Sequence, residues 1–191
     1  MALPTSYMTS TKRVSEIFDA IRTAKAPEKF TQKFLESLEF KSKGDRLIIN
    51  VLKSLGFLDD SGKPIERYFS FLDQSQSAIV LAEGIEEAYE DLFTVKRNAH
   101  TLTKQQVVGK FKTLSQGQYS DAVLNMMAMT YTSLCSLADF NTARKATLQT
   151  EDVEEKEIPE APKTRHERSN QNFEFGGLVY NIQIILPESR D

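Results

Sequence analysis

From Val14 to Phe140 the apolar residues recur at spacings of three and four, and this regularity restricts the chain to packed helices more than any other feature. Val14, Ile17, Phe18 and Ile21 form one apolar face, with Ser10 or Thr11 placed to cap it. Pro27 then sits where a helix tolerates proline, in a first turn, and Phe30, Phe34, Leu35 and Leu38 follow. After a turn near residues 39–41, Ser42-Lys43-Gly44-Asp45 has capping-box spacing: the Ser42 hydroxyl accepts from a backbone amide while Asp45 reaches back. The helix it opens buries Leu47, Ile48, Val51, Leu52 and Leu55. Further on, the spacing predicts a helix over 66–72 and a longer one over 75–93. The longer helix has Leu81, Ile85, Ala88, Tyr89 and Leu92 inside and Glu83, Glu86, Glu87, Glu90 and Asp91 outside.

The pattern breaks at residues 52–68, LKSLGFLDDSGKPIERY. Gly56 suits the left-handed position past a helix end. Phe57-Leu58 and Lys63-Pro64-Ile65 can then pair across the Asp-Asp-Ser-Gly tip as a very short hairpin, with Pro64 confined to an edge because it cannot donate. Three helices, a tight second turn and a stub of hairpin make up a winged helix-turn-helix. A plain helical bundle with a turn at this point is the alternative.

The expected fold is therefore mainly α: a winged helix-turn-helix-like helical body with a short hairpin and one C-terminal β-strand. Residues 1–74 form the winged helix-turn-helix-like unit and 75–143 a second helical unit. In the second unit Phe111, Leu114 and Asp121 repeat the spacing of Leu35, Leu38 and Asp45, and LCSLADF echoes LKSLGFL, as in a diverged repeat. Residues 144–172, rich in Glu, Pro, Lys and Ser, read as a flexible linker. Residues 173–191 carry a period-two strand with one fully apolar face, Tyr180, Ile182, Ile184 and Leu186, expected to dock on the body or on another chain.

Composition narrows the function. The net charge of −3 is concentrated late, since residues 146–191 carry 5 basic and 10 acidic side chains. The helical body is thus close to neutral, and any nucleic-acid affinity is expected to be modest. No membrane span or signal peptide is visible, and the single cysteine, Cys135, has no partner for an internal disulfide; a cytoplasmic protein is expected. Cys135 reads as a core residue. The two histidines, His100 and His166, fall in a loop and in the linker, and none of the common catalytic, metal or phosphate-binding spacings occurs. No enzyme, cofactor, metal or small-molecule substrate is expected. Asp59-Asp60-Ser61-Gly62 lacks the later bidentate glutamate of a calcium loop and reads as a solvated turn.

One helix face stands out. Lys43, Arg46, Asn50 and Lys53 lie opposite Val51 and Leu55, with Lys41 before the helix and Lys63 on the hairpin. Arg, Lys and Asn are the side chains that reach guanine, phosphate and adenine edges in a major groove. Ile49 falls among them on the expected wet side, where it would meet a thymine methyl or a protein partner. Between Asp121 and Asn141 there is no Lys or Arg at all, so the second unit lacks such a face. The expected function is duplex DNA binding by a homo-oligomer through Lys41, Lys43, Arg46, Ile49, Asn50, Lys53 and Lys63. The alternative is a protein-interaction or oligomerisation module on the same scaffold, with no nucleic acid.

The stretches APEKFTQKFLESLEFKSKGDRLIINVLKSLGFLDDSGKPIERY (26–68), LAEGIEEAYEDLF (81–93) and SLCSLADF (133–140) resemble the prokaryotic domain of unknown function 5343 family. The similarity extends to SYMTSTK and YNIQIILP, and LGFLDDSGKPIERY is its most specific part. The chain departs at Ile65, where the resemblance leads one to expect Thr, and at Glu39, where it leads one to expect Gly. It also stops where relatives continue into a short helix. The resemblance implies the helical architecture and a prokaryotic, cytoplasmic setting, and nothing catalytic.

Overall fold

The stripe Val14, Ile17, Phe18 and Ile21 winds into α1 (Val14–Thr23) with all four side chains buried. The computed structural model describes residues 3–142, which belong to one compact unit; the expected linker and C-terminal strand lie outside the described residues. The described part is mainly helical, and α1 is followed by α2 (Gln32–Ser37), α3 (Ile48–Ser54), α4 (Glu66–Leu72), α5 (Ser77–Ala88), α6 (Glu90–Val95), α7 (Lys104–Leu114) and α8 (Asp121–Cys135). Among the described residues no helix is long and apolar enough to cross a membrane.

Local chemistry places most boundaries. The α1 cap expected at Ser10 or Thr11 is absent: Arg13 occupies the position without a side-chain cap, and the Val14 amide donates to the Thr11 carbonyl. Pro27 does not open α2. Thr31 does, its hydroxyl accepting from the Phe34 amide, so the second helix starts a turn later than its proline suggests. Before α3 the capping box is present in both directions: Asp45 N–H donates to Ser42 Oγ (3.0 Å) and Ser42 N–H to Asp45 Oδ2 (3.2 Å). The box opens a 3-10 turn, Asp45–Leu47, which runs directly into α3.

The left-handed ends are explicit. Gly56 has φ 68°, and the amides of Gly56 and Phe57 return to the carbonyls of Lys53 and Leu52, closing α3 by a paired C-terminal motif. Glu39 adopts the same φ of 68° after α2, and Glu39 and Phe40 return to Glu36 and Leu35. A side chain there is strained by about 1 kcal/mol relative to glycine, which accounts for the glycine that the resemblance leads one to expect.

The hairpin is a single antiparallel bridge, Leu58 with Pro64. Ile65 N–H donates to Phe57 O and Asp59 N–H to Lys63 O, so Leu58 and Pro64 form the non-hydrogen-bonded pair between them. Pro64 loses nothing there, because that position requires no donor. The chain then enters α4 at the expected residues, Glu66–Leu72.

Phe18, Phe57 and Phe71 meet edge to face, centroids 5.3 to 6.5 Å apart, joining α1, the hairpin and α4 in one core. The long helix expected over 75–93 is instead two, broken at Tyr89 (φ −111°, ψ 30°). The break seats the buried Tyr89 ring against Phe111 and Tyr131, at 6.0 and 4.8 Å between centroids. Within α5, a Cβ on Gly84 would lie 2.9 Å from the Leu55 carbonyl, so the glycine permits α5 to pass against the end of α3.

The N-terminal segment is part of the body. Leu3 and Met8 are buried, and the Met8 amide donates to the buried Thr130 hydroxyl of α8 at 2.8 Å. That hydroxyl in turn donates to the Met126 carbonyl at 2.8 Å, so both of its hydrogen-bonding roles are used.

Candidate nucleic-acid interface

The Asp45 carboxylate is the pivot of the region that carries the cationic residues. It is 6% exposed, accepts from the Ser42 amide, and is paired with Arg13 at 3.2 Å. Arg13 also lies over the Phe40 ring, 4.4 Å from its centroid, so one guanidinium ties the start of α1 to the α2–α3 turn. Nothing in the local spacing of residues 10–23 signals this role, because all its partners but Glu16 lie more than twenty residues away.

The six polar residues of the expected interface divide into three groups. Lys43, Asn50 and Lys63 are exposed, and among the described residues neither lysine makes an ion pair. Lys41 and Arg46 are engaged within the chain: Lys41 with Glu39 at 3.3 Å and Arg46 with Glu36 at 3.6 Å. Both pairs are substantially solvated, so they hold their charges loosely and compete weakly with a phosphate. Lys53 is partly buried and donates to the Asp60 carbonyl at 2.7 Å, which joins α3 to the hairpin tip and leaves its full positive charge in place.

Ile49 corrects the sequence reading. It is partly buried and packs on the core rather than standing on a wet face. Ile49 is one step round α3 from the fully buried Ile48 and so stands at the edge of the apolar stripe. Ile49 is therefore a core contact with only part of its side chain open to solvent.

The hairpin tip is acidic but self-absorbed. Asp59 Oδ1 accepts from the Lys63 amide at 2.8 Å and from the Ser61 hydroxyl at 2.7 Å. These donors hold the Asp59 carboxyl below the usual carboxylate range. The motif is an Asx-type turn, as its solvated reading anticipates. Among the described residues no group of three or more His, Cys, Asp or Glu side chains is arranged to hold a metal ion.

A second guanidinium escaped the sequence reading. Arg67 donates to the Leu55 carbonyl at 2.8 Å and is paired with Glu87, which caps the end of α3 from α4 and ties both to α5. The sequence places Glu87 on the outer acidic side of its helix, with no sign of this partner. The only hint in the sequence is the burial pattern of α4, where Arg67 is the one cation beside the buried Tyr68. Burial raises the Tyr68 phenol to about 12, and burial likewise raises the Cys135 thiol to about 12. A thiol so raised stays protonated near neutral pH and is a poor nucleophile.

No curated protein and no solved structure matches the chain. A family model matches residues 6–145, the stretch that holds the whole described helical body. The chain belongs to that family, the family of unknown function DUF5343.

Proposed function

We propose that this chain is a non-enzymatic winged-helix protein that binds duplex DNA, with α3 as the reading helix and the single-bridge hairpin as a reduced wing. The observation that carries the reading is the Lys53–Asp60 link, which fixes the hairpin to α3 between two exposed lysines, Lys43 and Lys63. Asn50 adds an exposed side chain able to read an adenine edge. Lys41 and Arg46 exchange their in-chain carboxylates for phosphate. Specific affinity requires two copies on paired half-sites, so the working form is a homo-oligomer in a cytoplasmic setting.

The engaged residues lower the expected affinity. Counting Lys43, Lys53 and Lys63 as the available charges, the binding constant falls with salt at a log–log slope of about −3. Anisotropy of a fluorescent pool of random duplexes, followed against full-length protein at several salt concentrations, measures this directly. Lys43→Glu with Lys63→Glu is the appropriate variant, because neither side chain holds the fold; it should abolish binding with an unchanged Tm. Flat anisotropy for the wild type at low salt sinks the DNA reading. The second reading, a protein-interaction or oligomerisation module without nucleic acid, is favoured by the in-chain pairs of Lys41 and Arg46, which mute the positive face.

A further inference from the structure

Between α4 and α5, reaching Gly56 just past the end of α3, lies a groove of about 600 Å³. Its floor is apolar, formed by Val80 and Ile79 of α5, and Ile65 at the start of α4 stands on its rim. Ile65 is 40% exposed, and one turn on along the same face of α4 Phe69 is 54% exposed. These two and Val95 are the large apolar side chains most open to solvent among the described residues. Ile65 lines the groove itself, and Phe69 extends the exposed apolar strip one turn further along α4.

Charge selects the occupant. Glu66, Glu83 and Glu87 line the groove, with Arg67 as the only cation. Arg67 is already spent on the Leu55 carbonyl and on Glu87, while Glu66 and Glu83 make no ion pair among the described residues. A phosphate backbone or an anionic lipid surface is repelled by such a lining. A segment carrying Lys or Arg on either side of an apolar side chain satisfies both features at once: its apolar group replaces water over Ile65, Ile79 and Val80, and its cations neutralise the two unpaired carboxylates.

We infer that the α4–α5 groove is a docking site for a cationic, apolar-anchored segment of a partner protein. The surface and its sign of charge differ from those of the DNA face, so the site operates whether or not the chain binds DNA.

The test uses full-length protein and a short fluorescent peptide alternating lysine with leucine, read by anisotropy at physiological ionic strength. Saturable binding is expected, weakened about tenfold or more both by I65S with F69S and by E66Q with E83Q. All four side chains are exposed, and circular dichroism should show the same melting transition in each variant. A lysine–serine peptide should bind at least about tenfold more weakly than the lysine–leucine one, and a glutamate–leucine peptide not at all. Equal binding of the lysine–serine peptide, or equal binding by the variants, overturns the proposal. So does sedimentation showing a wild-type dimer that I65S with F69S converts to monomer, since the occupant is then a second copy of this chain.

Discussion

The pair α2–α3 and the pair α7–α8 turn their corners with the same hydrogen bonds. After α2, Glu39 and Phe40 return to Glu36 and Leu35; after α7, Gln116 and Gly117 return to Thr113 and Lys112. Each second helix is opened by a serine, Ser42 or Ser120. Each pair also carries one ion pair across its turn, with the signs reversed: Glu36 to Arg46, in the 3-10 turn before α3, and Lys112 to Asp121 of α8. Beyond the turn they diverge. α3 has 7 residues, ends at a left-handed glycine and leads into the hairpin. α8 has 15 residues and buries Leu124, Met127, Ala128, Thr130, Tyr131 and Leu134. Similar turn chemistry thus serves a short helix with an exposed polar side and a long helix that other elements pack around. What such a helix pair does is decided by the faces it leaves open, and the turn itself is silent on that.

Tyr131→Ala should show the largest effect, because it opens a cavity where Tyr89, Phe111 and Tyr131 meet. A loss of about 3–5 kcal/mol is expected from the denaturant midpoint, against less than about 0.5 kcal/mol for Asn50→Ala on the exposed side of α3. Similar losses at the two positions would mean that α3 and α8 are not used differently. The serines sharpen the same contrast at smaller scale. Ser42→Ala should cost about 1 kcal/mol or slightly more, since it breaks a reciprocal box holding the buried Asp45, whereas Ser120→Ala loses one longer bond and about 0.5 kcal/mol. Equal costs in the same unfolding measurement would remove the special standing of the Asp45 junction.

The smallest effect concerns Cys135 near the end of α8. Burial favours its neutral thiol, so the folded-state value of about 12 lies above that of a free thiol, about 8.5. Labelling by a thiol reagent at pH 8 should be slow in the native protein and fast in denaturant. The native rate should climb only as pH approaches the folded value. Rapid native labelling at pH 8 would show that α8 is less enclosed than α3.

Much of this molecule is legible from sequence where structure follows from neighbours in the chain. The α1 stripe, the Ser42–Asp45 box, Gly56 and the Leu58–Pro64 bridge all involve residues within a few positions of one another. The misreadings come where distant contacts decide. Ile49 falls beside the cations on a helical wheel, but it is partly buried against the core at the edge of the α3 stripe. The helix over 75–93 breaks because Tyr89 meets side chains from α7 and α8. Of the expected interface, the cations were visible as residue types, while their in-chain engagement with Glu36, Glu39 and the Asp60 carbonyl was not. The α4–α5 groove had no signature at all, because its two walls are separate helices whose charges looked merely solvated.

The bond from the Met8 amide to the Thr130 hydroxyl spans 122 residues of sequence. On a ribosome, the first segment of the body to emerge must therefore wait for nearly the last before its backbone is satisfied. Until residue 130 has been made and α8 has wound, Met8 lacks its partner there, and the N-terminal helices hold together without that strap. The N-terminal segment is thus joined to α8 by a contact of long sequence separation, the kind that costs loop-closure entropy before it forms.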